Sequence, residues 1–296
     1  MNKKIKLMIA AVALLMMATS YSKDDHINNN KLPSIEFTFT GSYIEFFVMV
    51  QSITVDWGDE STEEYSNPNY NRIMHNYTDN TVRTVRILQA EDLTVFACYN
   101  QRLTSLDASN CTTLTELYCY ENQLTSLDVS NNTALTFLQC VGNQLSYLDV
   151  SNNTALTFLN CGGNQLTSLD ISNNTALTFL NCGVNQLSSL DVSKNTALTE
   201  LYCSTNQLIS LDVSHNPALT SLGCSYNNLS ALDLSHNPAL GGLDCGYNNL
   251  SADALNEMFG TLPDRQDTGG GLYIEGNPGS ATCTRSIAED KNWMFW

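Results

Sequence analysis

Eight cysteines recur every 21 residues between positions 98 and 245 of this 296-residue chain. Thiols at a fixed spacing could form disulfides or bind a soft metal ion such as Zn²⁺. The sequence has no CxxC pair and no Cys/His set with zinc spacing, and each of the last seven cysteines follows a leucine by two positions. In an extended segment this spacing puts Cys and Leu on one inward face, where Cys behaves as a small hydrophobe. We therefore expect a ladder of reduced, buried thiols: Cys98, Cys119, Cys140, Cys161, Cys182, Cys203, Cys224 and Cys245.

Seven aspartates share the same period and would stack as a row of carboxylates about 4.8 Å apart. At an effective dielectric constant of 20, neighbours at that distance repel by about 3 to 4 kcal/mol, so the row needs compensation. One solution is a turn in which each Asp accepts from the backbone N–H of the Ser two positions on. The other is Ca²⁺ between coils, which requires six to eight oxygen ligands. The repeat has no DxDxDG loop, so we expect scaffold turns and no cofactor: Asp107, Asp128, Asp149, Asp170, Asp191, Asp212 and Asp233.

Two histidines, His215 and His236, lie one period apart and should be neighbours. A zinc site needs a third protein ligand, which the surrounding sequence does not supply, so we expect packing in a turn or exposure to solvent. The chain also shows no phosphate-binding loop and no set of nucleophile, base and orienting residue. The sequence therefore predicts that the protein is not an enzyme.

The elements that carry these residues are tandem copies of one unit. Each unit contains two similar halves, LxxLDVSxNxx and LxxLxCxxN, and each half has the pattern of a short strand followed by a turn. A 21-residue unit cannot bury its leucines alone, but stacked units share a continuous core. Asparagines three positions after the cysteines and others after the LDxS motif are predicted to bond the backbone of adjacent coils.

The consensus LxxLxCxxNxLxxLDLxxNxx, over Cys98–Leu250, resembles the nested 21-residue leucine-rich repeat called IRREKO. That family occurs in surface and secreted bacterial proteins, particularly those of Bacteroidetes. The resemblance implies a β-rich leucine-rich-repeat solenoid over residues 97–251, a right-handed superhelix of the horseshoe class. Cys111 stands where the first LDxS unit should have its turn asparagine, which predicts different packing at the entry to the solenoid.

The N-terminus has the composition of a secretory signal, predicted over residues 1–20, with a linker over residues 21–32. A basic start is followed by an apolar run over Leu7–Met17, too short to span a membrane, and by small residues at positions 18 to 20. The residues that follow resemble the start of a Bacteroidetes lipoprotein, with Tyr21 where the lipidated cysteine would stand. We expect a secreted or cell-surface protein without a thioether lipid.

Residues 33–96 carry alternating apolar runs separated by Asp, Asn, Gly and Ser clusters, a pattern typical of a small β-sandwich. Within them, Trp57-Gly58-Asp59 followed by His75 and Tyr77 resembles the WxFGDG and HxY motifs of a polycystic-kidney-disease-type domain. That resemblance implies framework roles for Trp57 and His75. Glu60 stands where the family has its second glycine, so we expect a different turn there.

The period ends after Leu250, and residues 252–296 are predicted to form a small α/β cap. Residues 252–262 have helical spacing, 271–275 read as a strand, and 286–293 read as a short helix. The block resembles the C-terminal caps of the same repeat family. A cap would cover the apolar end of the solenoid.

The charge of the chain excludes some partners. Loss of Lys3, Lys4 and Lys6 with the signal leaves ten of the 13 basic residues against 30 acidic ones, a net charge of about −20. Between residues 103 and 248, Lys194 faces eight Asp and three Glu, for a net charge of −10. A field of this sign repels phosphate backbones, so nucleic acid and anionic membranes are poor partners, whereas cationic protein surfaces, neutral glycans and calcium remain open.

A candidate binding surface lies on the strand that ends in each cysteine, at the outward positions before and after the inward leucine. These positions vary while the scaffold does not, and three of them form a column of phenylalanines beside amides. An exposed aromatic column rimmed by polar groups is typical of docking surfaces. The alternative is that the rings only stack on one another and record duplication. The candidate residues are Tyr118, Phe137, Gln139, Phe158, Asn160, Phe179, Asn181 and Tyr202.

These patterns predict an exported, monomeric, non-enzymatic binding protein that presents its repeat surface to a protein, in host or cell-surface interaction. The alternative is a carbohydrate-binding accessory protein, which the sandwich module and the phenylalanine column would both fit. An enzyme would require a site hidden in the sandwich or the cap, with Asp56 or His75 as its candidate residues.

The absence of a cysteine at position 21 predicts processing before Tyr21 without lipid attachment. Intact-mass measurement of the protein purified from its native cells should give the mass of a chain starting at Tyr21. A mass increase of one diacyl or triacyl group would contradict this prediction.

Overall fold

Residues 34–66, 71–88, 90, 92–266 and 268–296 are described by the computed structural model of the chain. The predicted signal peptide (1–20) and linker (21–32) lie outside the described residues. Within the part of the chain that is described, no helix has the length and apolar character needed to cross a membrane.

Two β-sheets face each other at the N-terminal end of the described chain. Their strands are β1 (Ile35–Thr40), β2 (Tyr43–Met49), β3 (Ser52–Asp56), β4 (Thr62–Ser66), β5 (Asn71–Asn76), β6 (Val82–Leu88) and β8 (Leu103–Asp107). One sheet has the order β4-β3-β6-β1-β8, while β2 and β5 belong to the other. Phe37 of the first sheet meets Phe46 of the second edge to face, with ring centroids 5.6 Å apart. The apolar alternation seen in the sequence therefore fills a core between the two sheets.

The second sheet continues as a ladder of parallel strands with one strand per repeat. Neighbouring strands pair in register, so that Leu138 lies opposite Leu159 and Phe137 opposite Phe158. The central residue of each strand, a leucine in all except β7, where it is Phe96, is buried together with the cysteine that follows it. The strands are β7 (Val95–Ala97), β9 (Glu116–Tyr118), β10 (Phe137–Gln139), β11 (Phe158–Asn160), β12 (Phe179–Asn181), β13 (Glu200–Tyr202), β14 (Ser221–Gly223) and β15 (Gly242–Asp244).

The first repeat joins both sheets. Strand β7 pairs antiparallel with β2 and parallel with β9, while β8 pairs antiparallel with β1. Backbone hydrogen bonding therefore runs without a break from the N-terminal strands into the repeats. The division into domains at residues 96 and 97 stays a prediction.

The expectation of two strands per repeat is wrong for the LDxS half. Only β8, in the first such half, is a strand, and one isolated bridge joins Asp107 to Asp128. The physical reason is strand pairing, because β8 pairs antiparallel with β1, whereas the later LDxS halves, apart from that bridge, have no neighbouring strand to pair with among the described residues. Leu148 and Leu169 of this half are nevertheless buried.

Two rows of buried asparagines connect successive coils, as the sequence predicts. In the row that follows the cysteines, Asn143 accepts from the Leu124 N–H at 3.0 Å and donates to the carbonyls of Cys119 and Cys140 at 2.9 and 3.0 Å. In the row that follows LDxS, Asn153 donates to the carbonyls of Val129 and Asn132, both at 2.9 Å. Each side chain thus satisfies carbonyl groups that a tight coil would leave without partners.

The C-terminal cap contains α1 (Ala252–Thr261), β16 (Gly270–Tyr273), α2 (Ser286–Glu289) and β17 (Trp293–Phe295). Helix α1 begins where predicted, because Ser251 Oγ accepts the Ala254 N–H at 3.2 Å as an N-cap. Helix α2 is shorter than the predicted 286–293. Asn292 takes a φ of 61°, and the chain then extends the parallel sheet, with Trp293 buried.

All ten cysteines are free thiols, and all except Cys283 are buried. Burial disfavours the thiolate and raises the pKa of Cys119 and Cys161 to about 12, and that of Cys111 to about 11. Burial also raises the pKa of Cys283, which is only partly covered. The ladder cysteines act as apolar core.

We expect Cys283 to be the first thiol to react with a disulfide reagent at pH 8, because the thiolate is the reactive form and burial suppresses it elsewhere. Timed titration should give about one fast thiol in the folded protein and most of the ten after denaturation without reductant. Cys283→Ser should remove the fast phase. Recovery of two or fewer thiols after denaturation would show that the ladder is oxidised.

Leu169→Ala should lower the free energy of unfolding by about 2 to 5 kcal/mol, because Leu169 packs in the middle of the leucine core and its removal leaves a cavity. Denaturant titration measures the change, and Ser168→Ala, at an exposed neighbour, is the matched control. An unchanged midpoint for Leu169→Ala would contradict the inward orientation of this leucine.

Candidate binding surface

The structure brings all eight predicted site residues together on strands β9 to β13. Strand pairing arranges them, with two glutamates, in two parallel columns on the outer face of the sheet. The phenylalanine column consists of Phe137, Phe158 and Phe179, with Glu116 at one end and Glu200 at the other. The amide column consists of Gln139, Asn160 and Asn181, with Tyr118 at one end and Tyr202 at the other. The two glutamates stand outside the predicted set, although their outward position follows from the same period.

The phenylalanines stack face to face along the ladder. Ring centroids of Phe137 and Phe158 are 4.0 Å apart with planes 5° from parallel, and those of Phe158 and Phe179 are 4.2 Å apart at 6°. All three side chains are partly buried. Because each inner face is covered by a neighbouring ring, the column presents ring edges to solvent. The stacking that was an alternative to docking is therefore present, and it leaves an apolar strip that is partly exposed.

A tyrosine closes the stack at each end from the adjacent column. Tyr118 lies 4.7 Å from Phe137 at 32°, and Tyr202 lies 5.7 Å from Phe179 at 51°. Each tyrosine hydroxyl also donates to the glutamate on its own strand, at 2.7 Å for Glu116 and 3.0 Å for Glu200. The two ends share this tyrosine-to-glutamate hydrogen bond, and at one end the Tyr202 hydroxyl also lies 3.2 Å from Ser221 Oγ.

The amide column keeps hydrogen-bonding capacity for a ligand. Asn160 and Asn181 use their side-chain oxygens to accept the N–H groups of Gly162 and Gly183, at 3.3 and 3.0 Å. Within the described residues, the NH₂ groups of these two asparagines have no protein partner, and the same holds for the Gln139 side chain. The exposed strip therefore has a row of amide donors beside it.

The aspartate row forms the turns that the sequence favours. Each Oδ1 accepts the N–H of the serine two positions on, at 3.0 Å for Asp170 and Ser172. This backbone hydrogen bond and a second one from the Ser172 side chain lower the pKa of Asp170. Across the described residues, no three His, Cys, Asp or Glu side chains converge in a way that could hold a metal ion.

Within the described residues, two histidines lie in turns and one packs in the N-terminal sheets. His215 and His236 are exposed, and each ring Nδ1 contacts the hydroxyl of the preceding serine, at 3.1 and 3.0 Å. His75 stacks on Trp57 with ring centroids 4.5 Å apart, and its Nε2 lies 2.9 Å from Asp59 Oδ2. Asp56, the other residue considered for an enzyme, pairs with Arg86 at 3.3 Å. Among the described residues no hydrogen bond joins Asp56 to His75.

A further row of turns was not anticipated from the sequence. The residue two positions after each ladder cysteine up to Cys245 takes a positive φ, which glycine favours, yet only Gly142 and Gly163 are glycines. Tyr226 and Tyr247 occupy two of these positions and stack with centroids 4.2 Å apart while remaining exposed. Residue types at this position range from Asn to Val, so the sequence indicates the positive φ only by the distance of two residues from the cysteine.

Comparison with known proteins identifies solved structures of the same fold. No protein-family model and no curated protein matches the chain. The functional domain of InlJ from Listeria monocytogenes, which includes a cysteine ladder, is 35% identical with a TM-score of 0.51, over 68% of this chain and 50% of that one. Internalin C2 from the same organism is 18% identical with a TM-score of 0.52, over 69% and 80%. The leucine-rich-repeat ectodomain of the Arabidopsis thaliana receptor kinase GASSHO1/SCHENGEN3 is 26% identical with a TM-score of 0.52, over 63% and 24%.

The chain thus spans half the length of the InlJ domain that it matches. The matched proteins share a solenoid of leucine-rich repeats, and the buried leucine phases and in-register parallel strands of this chain are those of such a solenoid. The fold predicted from the 21-residue period is confirmed: the chain forms a β-rich leucine-rich-repeat solenoid.

Proposed function

We propose that the protein is an exported, non-enzymatic binding protein that presents the outer face of strands β9 to β13 to a protein partner. The observation that carries the proposal is the phenylalanine column, a partly exposed apolar strip beside amide donors that have no protein partner among the described residues. Aromatic anchors surrounded by polar groups dominate the energy of many protein interfaces. Export rests on the predicted signal sequence, and residence in the medium or at the cell surface would fit a role in contact with a host or another cell.

The comparison structures support a protein partner. The GASSHO1/SCHENGEN3 ectodomain was solved in complex with CASPARIAN STRIP INTEGRITY FACTOR 2, so that solenoid of the same fold binds another molecule. Fold alone does not determine function, so the residues of the outer face carry the argument for this chain.

The glycan alternative has weaker support at this surface. A sugar ring packs against the face of an aromatic side chain, and stacking covers the inner faces of the phenylalanine column. A protein segment can instead pack aliphatic side chains against ring edges. We therefore place a protein first and keep glycans as an outcome of the test.

The test uses the protein from residue 21 onward to capture extracellular proteins, followed by dissociation constants for each purified candidate. Replacing Phe137, Phe158 and Phe179 with Ser should weaken binding at least tenfold, because the apolar anchors are lost. The melting temperature should fall by a few degrees, because each lost stacked pair contributes about 0.5 to 1.5 kcal/mol.

Replacing Tyr226 and Tyr247 with Ser is the matched control, since it removes another exposed stacked pair away from the column. This variant loses one stacked pair against two in the triple variant, so its stability should fall by about half as much, and it should retain affinity. Full affinity in the triple phenylalanine variant would rule out the column as the docking site. Binding confined to a glycan array would favour the carbohydrate alternative.

A further inference from the structure

The two glutamates that end the phenylalanine column have no cationic partner within the part of the chain that the structure describes. Glu116 lies opposite Phe137 in the strand pairing, and Glu200 lies opposite Phe179. Both side chains are partly buried, and each accepts one hydrogen bond from the tyrosine on its strand. Among the described residues no Lys, Arg or His forms an ion pair with either carboxylate. A partly desolvated carboxylate without a counter-charge is stabilised when a cation binds.

The surrounding charge selects for such a cation. Lys194, the one basic residue between positions 103 and 248, lies in an LDxS turn, where its charge acts on Asp191. The strand face therefore carries negative charge without a basic residue of its own. A field of this sign raises the local concentration of cationic ligands and repels anionic ones. The partner that fits this face is basic.

The geometry of the stack decides where the basic groups can bind. Cation–π binding requires a free ring face, and the inner faces of Phe137, Phe158 and Phe179 are covered. The middle of the column can therefore take apolar side chains against the ring edges. Positive charges are stabilised at the two ends, by Glu116 and Glu200. The free amides of Gln139, Asn160 and Asn181 can donate to carbonyl groups of a ligand that lies along the column.

The distance between the two glutamates sets a spacing for the ligand. They are four strands apart, which at about 4.8 Å per strand is about 19 Å. An extended peptide advances about 3.3 Å per residue, so six residues span this distance. Six is an even number, so the first and seventh side chains point to the same face, together with the third and fifth.

We propose that this surface binds an extended peptide segment of the pattern basic-x-apolar-x-apolar-x-basic, laid along the phenylalanine column. The basic side chains pair with Glu116 and Glu200, and the two apolar side chains contact the ring edges. This inference rests on the proposed function and adds the chemical class and spacing of the partner segment. A bivalent spacing of this kind gives specificity, because each charge pair is weak alone.

The probe is the synthetic peptide acetyl-KSLSLSK-amide with a fluorescent label, titrated with the protein from residue 21 onward in 20 mM and 500 mM NaCl. A peptide of the same composition, acetyl-KSLSLKS-amide, places the second lysine one residue earlier and on the opposite face. We expect the first peptide to bind about threefold to tenfold more tightly than the second at low salt, and high salt to remove the difference.

The variant for this test is E116Q/E200Q. Glutamine retains the acceptor for each tyrosine hydroxyl, so the fold should be kept while both charges are removed. Affinity for acetyl-KSLSLSK-amide should fall about threefold to tenfold at low salt. The matched control, E121Q/E257Q, removes two charges at exposed positions outside the column and should change affinity less than twofold. Equal losses in the two double variants would show a general charge effect and overturn the assignment.

Absence of binding, or equal binding of both peptides, would also overturn the inference. A captured protein partner distinguishes failure of this inference from failure of the proposed function. If that partner loses affinity in the triple phenylalanine variant but not in E116Q/E200Q, the surface binds proteins and the basic spacing is wrong. If the partner binds the triple variant normally, the proposed function itself fails.

Discussion

The hydrogen bonds from buried asparagines to the adjacent coil are the constraint on which the rest of the structure depends. Asn143 joins the Leu124 N–H to two cysteine carbonyls, and the same arrangement recurs in each repeat. An unpaired buried backbone group costs about 1 to 3 kcal/mol, so a coil cannot slip by one residue without several such losses. The period is therefore fixed at 21 residues by backbone hydrogen bonding. The asparagines determine the register, and the leucines pack in that register.

A fixed register gives each outward residue a defined neighbour on the next strand. Each outward residue lies beside the residue 21 positions later in the sequence, so its neighbour on the next strand is fixed. Three phenylalanines at one position become a stack, and a glutamate before and after them becomes a pair of charges at a set distance. The scaffold residues cannot vary without loss of stability, whereas outward residues can vary, so the proposed binding depends on the outward residues.

Much of this structure is predictable from the sequence because the period supplies tertiary information. The buried phases, the aspartate turns and the alignment of the eight site residues follow from spacing alone. Strand β4 could not be foreseen, because Thr62–Ser66 is a largely exposed edge strand without apolar alternation. The LDxS halves after β8 do not form the predicted strand, because Leu127 and Val129 can both be buried without being part of a strand. Ring orientation in the phenylalanine column depends on side-chain packing, which spacing does not encode.

Stacking and docking are compatible at the phenylalanine column. The phenylalanine rings stack face to face, which stabilises the three coils between the two strands that carry glutamate and tyrosine. Their edges remain available, and a surface of edges accepts aliphatic side chains and excludes cations from its middle. Duplication accounts for the likeness of the three central repeats, which are adjacent. Duplication of adjacent repeats does not explain why the sequence ELYC occurs on both sides of these three repeats. The same tyrosine-to-glutamate hydrogen bond forms in both copies of ELYC. The matched ends are the feature that stacking alone leaves without a cause.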